Sequence, residues 1–264
     1  GFQIKAPAQW QKPLQPSLSG GPLTCLALHP IDPQKFLAAS GHDIFEGSKE
    51  NPWKNLWSHT DSNSTIQRLF SFAKLPDHIF ALTREKLFLG NLKDRSWRVV
   101  YKDSSRPPLS FALHPKDPNH WFLGTTKGLW ETENAGKTWL PSRTFGFSGP
   151  IPLVFFDRTQ LFIATEEALY LSPPESIARQ VFSLSGTENS LSEEENVSPD
   201  EAIASYTFKI HDLLTVQGPS PKLFLATQEG VFESIDRGSR WEPLTQSGLQ
   251  SPVIRQLAWS SKAE

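Results

Sequence analysis

Methionine is missing from this chain, cysteine occurs once and tyrosine three times in 264 residues. A lone Cys25 excludes an internal disulfide framework. Placed on a predicted innermost strand, it reads as a buried, inert thiol, because a nucleophilic thiolate needs an accessible and electropositive setting. The chain also lacks any apolar run of about 18 residues, so no membrane-spanning helix is expected. Charge of one sign is lacking too. The formal net charge is −2 and the pI near 6.4, which argues against a nucleic acid or an anionic membrane as the main partner. Helical periodicity is absent as well, the best candidate being Asp200 to Ser205 inside a polar, acidic stretch.

What the chain does have is aromatic and repetitive. With 9 Trp and 18 Phe and no Met, the core is expected to be aromatic and stiff. A chain of this length removes roughly 70–75% of its unfolded surface from water, and residues 1–264 are expected to form a single all-β domain. Trp10, Trp53, Trp97 and Trp139 recur at nearly even spacing, and Phe182 continues the series. The period is about 43 residues, that of a four-stranded sheet unit. Trp241 arrives late, and the excess falls on the polar, acidic segment 186–201, read as an insertion loop.

Within each period the strand signal repeats. Inner strands are expected to start near Leu23, Ile66, Leu109, Ile151, Phe208 and Val253, followed by short runs such as Ile79-Phe80-Ala81-Leu82 and Leu223-Phe224-Leu225-Ala226. Aliphatic and aromatic runs of this length between turn residues are strands. Third strands recur as Leu87-Phe88-Leu89, Leu129-Trp130 and Val231-Phe232. Phe2 to Lys5 and Gln9 to Leu14 align with third and fourth strands, and Val253 to Trp259 with a first strand. The termini are therefore expected to complete one shared unit, for six in all, or seven if the natural chain continues.

Two segments share a tighter pattern. Thr132-Glu133-Asn134-Ala135-Gly136-Lys137-Thr138-Trp139 and Ser234-Ile235-Asp236-Arg237-Gly238-Ser239-Arg240-Trp241 both read Ser/Thr, any, Asp/Asn, any, Gly, any, any, Trp. The pattern resembles the Asp-box of BNR-repeat β-propellers, a class that includes sortilin-like domains, photosystem II assembly factors and sialidases. The resemblance implies a β-propeller of four-stranded blades. It also implies a structural role for Thr132, Asn134, Gly136, Trp139, Ser234, Asp236, Gly238 and Trp241 at the rim turn between third and fourth strands. There the Asp or Asn ties the turn's own backbone and the Trp packs between sheets.

A second repeat, His29-Pro30-Ile31-Asp32-Pro33 and His114-Pro115-Lys116-Asp117-Pro118, offers nitrogen and oxygen ligands, but two per unit on different units do not build a four-ligand metal site. It reads as a proline-fixed turn. No metal and no cofactor is expected.

Candidate binding residues lie where loops joining second to third strands converge on the channel: His42, Asp43, Arg84, Glu85, Lys127, Glu166, Glu167 and Glu229. Arg68, Arg106, His211, Asp212 and Arg255 adjoin them at the start of the first strands. Loops on a rigid scaffold are where binding residues collect. A sialidase-like hydrolase would need an activated tyrosine, and Tyr101, Tyr170 and Tyr206 are poorly placed for it. The arginine motif of that class is also missing from Phe2-Gln3-Ile4-Lys5-Ala6-Pro7. A different glycosidase would need two carboxyls about 5–10 Å apart, for which Asp43 with Glu166 or Glu167 are the candidates. The expected function is a non-catalytic scaffold that binds a protein or a glycan, as a monomer or within a hetero-complex. The chain starts at Gly1 rather than Met, as a chain does whose leader has been removed, and an extracytoplasmic location is expected.

Overall fold

The computed structural model describes residues 22–48, 51–60, 64–158, 160–173, 176–184, 208–218, 220–244 and 252–257. These form five antiparallel sheets of four strands, each built from consecutive strands in chain order. Blade 1 comprises β1 (Leu23–Leu28), β2 (Lys35–Ser40), β3 (Asp43–Ser48) and β4 (Lys54–Ser58). Blade 2 follows with β5 (Ile66–Ser71), β6 (His78–Thr83), β7 (Lys86–Asn91) and β8 (Trp97–Lys102). Blade 3 contains β9 (Pro108–Leu113), β10 (Trp121–Thr125), β11 (Gly128–Thr132) and β12 (Leu140–Pro141). Blade 4 is β13 (Leu153–Asp157), β14 (Gln160–Ala164), β15 (Ala168–Ser172) and β16 (Arg179–Ser183). Blade 5 ends the series with β17 (Ile210–Val216), β18 (Lys222–Thr227), β19 (Gly230–Ser234) and β20 (Glu242–Pro243).

In blades 2, 3 and 4 the second strands are continuous apolar runs because both faces of the sheet are covered by a neighbouring blade. Side chains alternate across a strand, so Ile79 and Ala81 of β6 join the seam with blade 1, while Phe80 and Leu82 join the seam with blade 3. The same split occurs on β14, where Leu161 and Ile163 face blade 3 and Phe162 and Ala164 face blade 5. Four seams result among the described residues. Burying each Leu, Ile or Phe in them contributes about 1.5–3 kcal/mol over leaving it exposed.

The recurring tryptophans seal the outer parts of these seams. Trp97 stacks on Trp57 of the preceding blade, ring centroids 4.2 Å apart, and Trp139 Nε1 donates to the Val100 carbonyl of blade 2 at 2.8 Å. Trp53 and Trp97 cover Gly47 and Gly90 so closely that a Cβ there would come within 2.6 Å and 2.5 Å of the indoles.

Both Ser/Thr-x-Asp/Asn-x-Gly segments form the connection between a third and a fourth strand. In blade 3 the Thr132 hydroxyl donates to Asn134 Oδ1 (2.9 Å) and accepts from the Gly136 amide (3.1 Å), and Thr138 N donates to Asn134 Oδ1 (2.9 Å). Blade 5 repeats this with Ser234, Asp236, Gly238 and Arg240 at 3.0, 2.8 and 2.8 Å. Burial pushes the Asp236 carboxyl up, but the hydrogen bonds from Arg240 and Ser234 outweigh it and hold it below its ordinary value. The His-Pro-x-Asp-Pro segments likewise share one turn. Nδ1 of His29 accepts from the amides of Ile31 (3.3 Å) and Asp32 (3.1 Å). Nδ1 of His114 accepts from Lys116 and Asp117 at the same distances.

The described residues thus define a β-propeller of five blades, not the six or seven expected from the repeat count. Segments Phe2 to Lys5 and Gln9 to Leu14, with Trp10, lie outside the described residues, as do the acidic insertion 186–201, Tyr206 and Trp259. Val253 was expected to open an inner strand. Residues 252–257 instead form no strand, because the segment is held at separate points: Ile254 N donates to Thr227 O (2.9 Å) and Leu257 N to Asp212 Oδ2 (2.9 Å). The inner strand of blade 5 starts at Ile210 rather than Phe208.

Candidate functional site

Each blade closes its second strand with a buried Ser or Thr: Ser40, Thr83, Thr125, Thr165 and Thr227. In blades 2 to 5 the threonine hydroxyl donates across the following turn. Thr125 Oγ1, for example, donates to Gly128 O (2.9 Å) and accepts from Lys127 N (3.0 Å). Thr227 does the same with Gly230 O and Glu229 N. These clasps fix the turns that hold the predicted binding residues. The Gly41 carbonyl of the first such turn receives the Ile66 amide at 2.8 Å, so the turns and the beginnings of the inner strands share one end of the molecule.

At that end the inner strands are irregular. Register shifts fall between Leu23 and Cys25 in β1, between Ile66 and Arg68 in β5, and between Ile210 and Asp212 in β17. Thr24, Gln67 and His211 are the extra residues, at equivalent positions of three blades. A bulge sets two residues against one partner and re-aims side chains. Neighbouring residues therefore reach the axis together instead of alternating: Thr24 and Cys25, Gln67 and Arg68, His211 and Asp212 all line one cavity of about 600 Å³. Arg255 and Gln256 of the closing segment complete the polar lining, and Leu23, Leu26 and Phe70 its apolar part.

The electrostatics of the cavity are uneven. Arg68 is open to the cavity, and crowding by the surrounding protein pushes its guanidinium down from its ordinary value while Asp212 pulls it up. Arginine remains a cation in any such setting. Burial pushes the Asp212 carboxyl up, partly opposed by the amides of Leu257 and Leu213, each bonded to one of its oxygens at 2.9 Å. Burial, then the charge of Arg255, lowers His211, and its Nε2 has no hydrogen-bond partner among the described residues. Cys25 lies on β1 as expected but is half-buried rather than buried, since β1 faces the cavity. Burial still pushes its thiol up, away from nucleophilic use.

Of the sequence-derived candidates, His211 and Arg255 line this cavity, together with Arg68 and Asp212. The others sit one turn per blade outside its lining. Asp43 accepts from the Ser58 hydroxyl and from Asn55 Nδ2 (3.4 Å) on its own blade's outer strand. His42 Nδ1 lies 3.1 Å from Ser64 O and its ring packs edge-on against His59. Glu167 pairs with Lys209 at 2.6 Å, and burial followed by Glu167 raises Glu166. Arg84 and Glu85 are half-buried in the second turn, while Lys127 and Glu229 are exposed. Arg106 lies away from the cavity, its guanidinium 3.8 Å over the Trp130 ring and its Nε bonded to Asp103. Gln67, Gln256 and Thr24 were not among the candidates. Their signal was positional, since Thr24 and Gln67 occupy the repeat position of His211.

Five four-stranded blades define the class, a β-propeller, with a polar cavity at the starts of the inner strands of blades 1, 2 and 5. No family model matches the sequence, and no curated protein matches it. Among solved structures the chain is similar to an auxiliary nutrient binding protein from Bacteroides thetaiotaomicron. The identity is 9% and the TM-score 0.62, over 88% of this chain and 59% of that one. It is also similar to an ancestral GH74 enzyme at 13% identity and a TM-score of 0.56, over 89% of this chain and 32% of the enzyme. The chain thus spans less than two thirds of either neighbour, and similarity at such identities shows the propeller fold alone.

Proposed function

We propose that this chain is a non-catalytic, extracytoplasmic binding propeller of the Asp-box repeat kind, which takes a glycan in its axial cavity. The observation that carries this reading is the cavity itself. It has the size of a small-ligand site, with Arg68, Arg255, Gln67 and Gln256 around it. Binding is favoured over hydrolysis because the described lining contains one carboxylate, Asp212, with both oxygens engaged by amides. Glycosidases act through a pair.

The test is a glycan array probed with wild type, Leu26→Trp and the pair Arg84→Glu/Lys127→Glu. Leu26 lines the cavity and is 59% exposed, so an indole there fills the space without disturbing a seam. Binding lost in Leu26→Trp and kept in the charge-reversed pair is expected. The opposite result would move the binding face to the hairpin turns and refute the cavity as the site.

A further inference from the structure

We infer that the ligand of the channel is an acidic saccharide, its anionic group held between Arg68 and Arg255 and its hydroxyls met by Gln67, Gln256 and Thr24. The inference rests on the reading of the channel as a glycan site and names the chemistry of the glycan. Neither guanidinium makes a hydrogen bond, or an ion pair within 4 Å, among the described residues. Arg106, by contrast, is held by Asp103 and Trp130, and Arg98 by the Ala135 carbonyl; what sets Arg68 and Arg255 apart from other arginines is that they share one cavity. A planar, permanently charged fork left open in a cavity matches a carboxylate or a sulfate ester, each with oxygens spaced for bidentate contact.

Asp212 does not fill that role. It is the one carboxylate of the described lining, against two guanidiniums, and its oxygens accept from Leu213 N and Leu257 N. The bond to Leu257 anchors the closing segment beside β17, and so positions Arg255 at the cavity wall. Asp212 is therefore a positioning residue here.

The remainder of the lining identifies the body of the ligand. Gln67 and Gln256 present the donors and acceptors of two primary amides, Thr24, whose hydroxyl donates to the Ala39 carbonyl at 3.3 Å, presents an acceptor oxygen, and Leu23, Leu26 and Phe70 present apolar surface. A bare inorganic anion would leave that surface and those amides without partners. A saccharide has both hydroxyls and apolar C–H faces, and adding an acid group completes the match to the arginines.

The test is isothermal titration of the full chain with a panel of hexuronic acid oligosaccharides, the same sugars as methyl esters, and sodium sulfate. At least one acid form is expected to bind about tenfold or more tightly than its ester, as a charge-assisted bidentate contact provides. Arg68→Gln and Arg255→Gln should each remove about tenfold of the acid's affinity and leave the ester's unchanged. Acid and ester binding alike, or arginine variants binding the acid as wild type does, would overturn the anionic assignment while leaving the channel as a glycan site. Sulfate binding as tightly as the sugars would overturn the saccharide. Silence of the whole panel, with wild-type circular dichroism, would overturn the inference, and the Leu26→Trp array then decides separately whether neutral glycans use the channel.

Discussion

Replacing Gly238 by alanine tests the packing logic of the rim turns. Gly238 has φ +84°, and a Cβ on it would come 2.5 Å from Phe162 Cε1, 2.7 Å from Phe162 Cζ and 3.4 Å from Leu223 Cδ1. Phe162 is fully buried in the seam between blades 4 and 5, so the ring has no open direction in which to yield. A left-handed backbone costs a non-glycine residue about 1–2 kcal/mol, and overpacking a tight core a further 1–3 kcal/mol or so. The reduced freedom of the unfolded chain returns about 0.4–1 kcal/mol, leaving a net destabilisation of roughly 2–4 kcal/mol. At about 2–4 °C per kcal/mol for a chain of this size class, Tm falls by on the order of 5–15 °C. Urea unfolding followed by tryptophan fluorescence measures it, with Gly146→Ala as control, since nothing lies within 4 Å of a Cβ at Gly146. The control should stay within about 0.5 kcal/mol of wild type. If Gly238→Ala matches the control, the claim that this turn seats against the preceding blade is wrong.

Thr125→Val keeps the shape of a buried side chain but removes the clasp to Gly128 O and Lys127 N. It should cost about 1–3 kcal/mol for the groups left unpaired, with Thr125→Ser recovering most of it in the same urea titration. Protonation of His29 and His114 should destabilise the fold. Burial lowers both below the ordinary value of 6.5, so above that pH neither state binds the proton and their contribution is flat. As pH falls below 6.5 the unfolded chain takes up protons first and stability declines until the folded values are reached. Melting curves from pH 8 to pH 5 should show a smaller acid loss in His29→Gln/His114→Gln than in wild type, and parallel curves would contradict it.

The hairpin turns, the paired rim turns and the His-Pro-x-Asp-Pro turns were legible in the sequence because each is a local device. Residues such as Thr132, Asn134 and Gly136 bond within their own segment, so the residue types needed appear side by side. The apolar runs of β6, β10 and β14 were legible for a related reason: two buried faces leave no polar position in the interior of a strand. The candidate site was legible only in part. His211 and Arg255 were found as charges near strand starts, but Asp43, Glu166 and Glu167 carry charge as prominent in the sequence and lie outside the cavity lining. Bonds to Ser58 and to Lys209, remote in sequence, occupy two of them.

The sequence by itself determined the blade and its turns, since a four-stranded antiparallel unit is made of short-range pairings between neighbouring runs. Only the tertiary structure decided which residues share the axis. Bulges at Thr24, Gln67 and His211 change which side chains face inward. The bond from Leu257 to Asp212 brings Arg255 to a cavity that it shares with Arg68, 187 positions earlier in the chain. A periodic pattern records how each strand pairs with the next; the convergence of distant strands on one cavity follows from how whole blades pack, and that is set by the seams between them.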